Sequence, residues 1–309
     1  MKSKMINQSH IEGALYQHDL TLKVTGENSK VPGTEFISGN IEIATDDAGI
    51  NIVPVHFTYV TATTAKGSAN ATFNVLKNII DGVYKTVMTD GADKATMLRV
   101  DSAIGLNEFY DRNDQFVSVK RNEGGFVHVA PSIAEDEKTR NTFECDIIIN
   151  NVIRVEGDEE KGTTDKSTVK GVIFNFRKDL MPVEFSVTNP KAMAYFEGLG
   201  ASNSNPIFTK IKGRQISESI VRRVEEESAF GEPSIKEYKS TRKDFVITWA
   251  QTEPYEWDDE STITANELKE ALAAREITLA ELKRRNEEYK ASKGQASAAA
   301  APAPGAFNF

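Results

Sequence analysis

The chain has 309 residues, 39% of them apolar and 27% charged, and carries a formal charge of −9, a single cysteine and four histidines. That length supports two or three domains with cores of their own, and the composition is that of an ordinary water-exposed globular protein. No apolar run approaches the roughly 20 residues that span a bilayer, one cysteine closes no internal disulfide, and the opening Met1-Lys-Ser-Lys lacks the apolar stretch of an export signal, so the expected location is the cytoplasm.

The acidity is unevenly spread. Formal charge is −3 over residues 1–131, −2 over 132–139, zero over 140–250 and −4 over the tail. The balanced stretch in the second half leaves room for a basic face.

In chain order, a long first strand over Ile11–Val24 precedes an alternating run, Phe36–Ile43, then a turn and a second run, Asn51–Tyr59. A helical pattern, Ala71–Ile80, separates these from two further strands, Met97–Phe109 and Phe116–Val129. The same order then returns: a first strand over Thr142–Val155, Thr168–Phe176, a turn, Leu180–Val187, a helix over Pro190–Leu199, and strands over Pro206–Glu218 and Asp244–Trp249. The repeated core is Gly-x-Ile, a turn, and Pro-Val-x-Phe, carried by Gly39, Ile41, Pro54 and Phe57 in one copy and Gly171, Ile173, Pro182 and Phe185 in the other. Three strands, a helix and two strands, twice over, predict a mainly β chain of two tandem OB-fold-like five-stranded barrels. The boundaries so drawn are 1–131 and 142–250 for the barrels, with an acidic linker at 132–141. An acidic segment and charged helix follow over 251–291, the helix opening at Thr264 with Glu267 completing a capping box. Residues 292–309, rich in Ala and Pro, are expected to be a flexible tail ending in Phe307-Asn-Phe309.

Catalytic chemistry is hard to assemble. The histidines His10, His18, His56 and His128 are scattered, no Cys/His set has metal spacing, and no nucleophile, base and orienting group come together, so neither an enzyme nor a cofactor or metal site is expected. Gly157-Asp-Glu-Glu-Lys-Gly162 has the glycine spacing of a phosphate loop but places carboxylates where phosphate would sit. Asp111-Arg-Asn113-Asp-Gln115 resembles a calcium loop until Phe116 takes the glycine position.

Strand alternation sends Ile37, Gly39, Ile41, Ile43, Val53, Val55, Phe57 and Tyr59 inward, leaving Phe36 and His56 on the outer face. In the second copy it sends Lys170, Phe174 and Phe176 outward, with Arg177 just beyond. Lys210, Lys212 and Arg214 share one side of their strand, and Lys120, Arg121 and Phe126 share a hairpin. Basic stripes beside outward aromatics suit a ligand that offers phosphates and stackable bases, so these twelve residues are the candidate nucleic-acid surface.

The succession of barrel, acidic segment, Ala/Pro-rich linker and terminal Phe309 resembles the layout of single-stranded DNA-binding proteins of bacteria and their phages. The tip Ala-Phe-Asn-Phe departs from the bacterial form in lacking adjoining aspartates. The resemblance implies sequence-independent binding of single-stranded DNA in replication or recombination, with Phe307 and Phe309 recruiting a replication partner. The competing expectation is a viral structural or assembly protein whose duplicated β-domains pair with copies of themselves.

Overall fold

A computed structural model describes residues 5–157, 164–226, 234–257 and 263–299. Among these residues eleven strands form one hydrogen-bonded system that coils into two barrels. The first contains β1 (Asn7–His18), β2 (Thr21–Val24), β3 (Glu35–Ala44), β4 (Ile52–Thr61), β5 (Met97–Tyr110) and β6 (Phe116–Val129), with α1 (Ala71–Ile80) and the short α2 (Val87–Asp90) between β4 and β5. The second contains β7 (Asn141–Val155), β8 (Lys166–Phe174), β9 (Leu180–Val187), α3 (Pro190–Gly198), β10 (Ile207–Glu226) and β11 (Ser234–Ala250), and α4 (Ala265–Ala299) follows. The duplicated order of three strands, helix and two strands is present as expected, with a break at Asp19 and Leu20 that divides the first strand into β1 and β2.

Both barrels close incompletely. In the first, parallel β4 and β6 meet at two residue pairs, Val55 with Asn122 and His56 with Glu123; in the second, β9 and β11 meet at one, Ser186 with Val246. Apolar side chains on alternate strand positions fill each interior. Ile11, Leu15, Ile41, Val55 and Phe57 lie under Phe73 and Leu76 of α1, while Phe143, Ile147, Ile173, Phe185 and Ile247 lie under Met193 and Phe196 of α3. Both helices start on an asparagine cap, Asn70 and Asn189, whose side chains accept from backbone N–H groups of the first turn. The repeated Gly-x-Ile has a steric cause. A Cβ on Gly39 would run into Asp19 and Leu20, and one on Gly171 into the Ile148 carbonyl, because at each glycine the first strand of the barrel crosses close over the second.

Two expectations change here. Tyr59 is not a core residue but half exposed, because the β3–β4 register shifts between Ile37 and Gly39 and rotates the end of β4. The charged helix expected within residues 251–291 continues to Ala299, into the stretch expected to be flexible tail, through residues rich in alanine, the best helix former. Its start is the predicted capping box: Thr264 Oγ1 accepts from Glu267 N at 3.2 Å and Glu267 Oε2 accepts from Thr264 N at 3.0 Å.

The barrels are joined through β1 and β7, the first strands of the two copies, which pair antiparallel from Asn7 opposite Cys145 to Ile11 opposite Asn141. A buried amide network reinforces the seam: Asn122 and Gln215 bond through their side chains, Asn141 Nδ2 donates to the Gln215 carbonyl at 2.5 Å, and Asn51 Oδ1 accepts from Ser217 N at 2.6 Å. The segment after β11 crosses the outer face of the second barrel. There Tyr255, Trp257, Ile263 and Leu268 cover Ile148, Phe174 and Phe208. The helix then reaches the β5–β6 hairpin of the first barrel, where Arg275 pairs with Glu108 and Lys290 bonds Asp114 at 2.6 Å. Among the described residues no helix is long and apolar enough to cross a membrane.

Candidate nucleic-acid interface

Because β1 pairs with both β5 and β7, the outer faces of the two barrels form one continuous floor. One cross-strand row runs Phe126, Asp101, His10, Thr142 and Arg214, each opposite the next on the adjacent strand. A second row, two residues along each shared strand and hence on the same face, runs Gln8, Glu144, Lys212 and Trp249. Five strand steps separate β6 from β11, about 24 Å at the usual ~4.8 Å strand spacing.

This floor lies in a groove of about 1470 Å³, with Lys138 and the segment Phe174-Asn175-Phe176 also on its walls. Three of its aromatic rings face solvent: Phe126 is 70% exposed, Phe176 82% and Trp249 47%. Cations accompany two of them, Lys212 Nζ 5.3 Å from the Trp249 ring centre and the Arg177 guanidinium 5.4 Å from that of Phe176. Each floor carboxylate has a partner. Glu144 bonds Lys210 at 3.4 Å and Lys212 at 3.1 Å, and Asp101 bonds His10 at 2.8 Å. Arg214 has its Nε buried without a hydrogen-bond partner.

Of the residues expected from sequence, Phe126, Phe176, Lys212 and Arg214 come together in this groove, with Arg177 beside Phe176. Lys210 is held at its edge by Glu144. Phe174 is a correction: although its strand phase points outward, the ring is 2% exposed beneath the segment after β11, so it cannot stack on a base. Lys120 is another. Its ammonium enters the gap left by incomplete closure of the second barrel, 4.5 Å from the Phe185 ring centre and 4.7 Å from that of Phe245, and donates to the Glu184 carbonyl. Burial lowers its pKa to about 8 against the opposing pull of Asp244 and Glu184. It joins barrels and offers no free cation to a phosphate. Lys170 pairs with Glu184 at 2.6 Å on the same side of the barrel.

Phe36, His56 and Arg121 lie on the first barrel away from this groove. Phe36 packs on Tyr59 with ring centres 4.6 Å apart, His56 Nδ1 meets Asn40 Oδ1 at 2.9 Å, and Arg121 bonds Glu123 at 2.6 Å. Burial, and then the charge of Arg121, lower the His56 pKa. Phe307 and Phe309, and most of the Gly157–Gly162 segment, lie outside the described residues.

Sequence reasoning missed Trp249, His10 and Lys138 as groove residues. Trp249 had a visible signal, since it ends a strand whose preceding residues alternate into the core. His10 and Lys138 had none, because their place depends on the pairing of β1 with β7. Among the described residues no group of His, Cys, Asp or Glu is arranged to hold a metal ion.

Among the solved structures that resemble this chain are two loose neighbours. One is the single-stranded DNA binding protein of Thermus aquaticus, in a deletion-mutant form, 10% identical, with 83% of this chain and 99% of that chain covered at a TM-score of 0.45. The other is a replication protein A heterotrimer bound to single-stranded DNA, 9% identical, with coverages of 91% and 70% at a TM-score of 0.23. The fold assignment rests on the strand order described above and not on these superpositions. A search of curated proteins gives no match. The family model YorF matches residues 6–285, so nearly the whole described chain falls within it, and the chain belongs to the YorF family.

Proposed function

We propose that the protein binds single-stranded DNA, without sequence preference and without catalysis, in the groove that crosses the two barrels. The observation that carries this reading is the solvent-facing set Phe126 and Trp249 on the floor and Phe176 on the wall of one groove, with Lys212, Arg214 and Lys138 beside them. Unpaired bases offer flat faces to such rings, worth about 1–3 kcal/mol each, and a strand wide apart from its complement can lay its phosphates along the cations. A duplex keeps its base faces stacked and presents nothing to the aromatics. Hydrogen bonding to base edges plays little part, since the floor polar groups Asp101, His10, Glu144 and Lys212 are already committed to one another. A role in phage or bacterial replication or recombination follows from the layout of barrels, acidic segment and terminal Phe, with the tip as the recruiting element.

The test is a titration of labelled oligo-dT and of a matched duplex over a range of salt. With Lys212 held by Glu144 and Arg177 by Asp179, the other two groove cations, Lys138 and Arg214, predict a log–log salt slope of about −1.4 for a single strand. Preference for the single strand with that dependence supports the reading. A folded protein that binds neither at low salt contradicts it, and defined large oligomers without DNA binding point instead to an assembly protein.

A further inference from the structure

A second cavity adjoins the groove. It has about 510 Å³ of space and lies between α3 and β11, where the two wall residues Thr248 and Trp249 also line the groove. Those two residues form a ridge with groove on one side and cavity on the other. The cavity exists because the second barrel fails to close there: β9 and β11 share one bridge, Ser186 with Val246, and then diverge beneath α3. Its floor is apolar, from Val246, Ile247, Ala192 and Phe196, and its rim is polar, from Thr188, Asn189 and Thr252. Lys191 stands exposed at the rim, and the Tyr195 hydroxyl donates to the Gln251 carbonyl at 2.8 Å, which fixes its ring as a side wall.

We infer that this cavity receives one nucleobase of the strand bound in the groove, turned over the Trp249 ridge. The inference rests on the single-stranded DNA reading and adds a subsite to it. An apolar floor with polar groups around it matches a heterocycle whose faces are apolar and whose edges are polar, and the volume falls in the range of small-molecule sites. Lys191 lies where the phosphate that follows the turned base would pass. A strand leaving the aromatic floor at Trp249 meets this opening next, because Thr248 and Trp249 line both the groove and the cavity.

The experiment is an abasic scan. A series of oligo-dT strands, each with one abasic position, is titrated against the full chain and against Ala192→Phe, which fills the slot from α3 without touching the groove. Lys191→Glu, an exposed change, serves as a second variant that leaves packing alone. In the wild type, each base that stacks or enters the slot shows a loss of roughly tenfold when removed. Expected is that Ala192→Phe removes the penalty at one position near the Trp249 end and leaves the others, and that Lys191→Glu weakens binding only of strands long enough to pass that position. Identical penalty profiles in wild type and Ala192→Phe, together with no length-dependent effect of Lys191→Glu, overturn the base slot while the groove stands. Absence of oligonucleotide binding in the wild type overturns the underlying reading and the slot with it.

Discussion

Asn122 and Gln215 face each other across the seam between the barrels and exchange two hydrogen bonds, Asn122 Nδ2 to Gln215 Oε1 at 2.7 Å and Gln215 Nε2 to Asn122 Oδ1 at 2.8 Å. Both side chains are buried, and the Gln215 carbonyl also receives Asn51 and Asn141. An amide pair in this position satisfies itself only when the two barrels are in register. It therefore sets the geometry on which a groove shared by both barrels depends.

Removing one partner strands the other in a dry seam. Gln215→Leu and Asn122→Leu are each expected to destabilise the protein by about 1–3 kcal/mol, read from urea unfolding at constant m-value. The double variant is expected to lose less than the sum, since both amides leave together. Strict additivity of the two losses would mean that the pair is not coupled.

The groove aromatics should matter for binding and little for folding. Phe126→Ala, Phe176→Ala and Trp249→Ala are each predicted to weaken oligo-dT binding by about 1–3 kcal/mol with thermal midpoints close to wild type, because their rings already face water. Phe174→Ala is predicted to do the reverse, lowering stability by about 3–5 kcal/mol as a buried phenyl is lost. A Phe174→Ala protein as stable as wild type would show that the segment after β11 does not cover it.

Lys120 gives a pH signature. Burial lowers its pKa to about 8 in the folded state, against 10.5 for the unfolded chain. Between those values the unfolded chain holds more protons, so the contribution of this group to stability rises as pH increases from about 8 to 10.5. The difference in thermal midpoint between Lys120→Met and wild type is expected to be most favourable to the variant at pH 7 and to shrink by pH 10. A difference independent of pH would place the ammonium in solvent.

The segment after β11 is expected to be structural as far as the start of α4. Tyr255 donates to Asp146 at 3.2 Å, its own pKa pushed up to about 12 by burial and then by that carboxylate, and Trp257 Nε1 donates to the Pro206 carbonyl at 3.3 Å. A chain ended after Ala250 should expose Ile148, Phe174 and Phe208, bind a hydrophobic dye and melt earlier. A chain ended after Ser292 should keep the wild-type melting curve and oligo-dT affinity, and lose only recruitment of a partner by Phe307 and Phe309. Early melting of the shorter deletion would make the tip part of the fold.

Most of the fold was legible because strand alternation and the Gly-x-Ile and Pro-Val-x-Phe repeat are local signals. Ala71–Ile80 and Leu180–Val187 have the limits read from sequence. The site was legible only in part, for a physical reason. Alternation says which side of a strand a residue occupies, not what later covers that side. Phe174 and Phe176 share a phase in the sequence, yet Phe174 is sealed by Trp257 and Ile263, while β8 has ended before Phe176, which stands in solvent in the following turn. Lys120 and Lys212 both read as basic strand residues, but only the pairing of β1 with β7 decides that one enters the second barrel and the other lies on the floor. Trp249 became a site residue through its neighbour Lys212 across the β10–β11 ladder, a relation that sequence spacing does not contain.

The most direct test of the central claim is to locate the bound strand. Photocrosslinking of a bromodeoxyuridine-substituted oligo-dT, followed by mass spectrometry of the joined peptides, is predicted to mark Phe126, Phe176 and Trp249. Crosslinks confined to Phe36 and Tyr59 on the outer face of the first barrel, with the three groove aromatics unmarked, would contradict it.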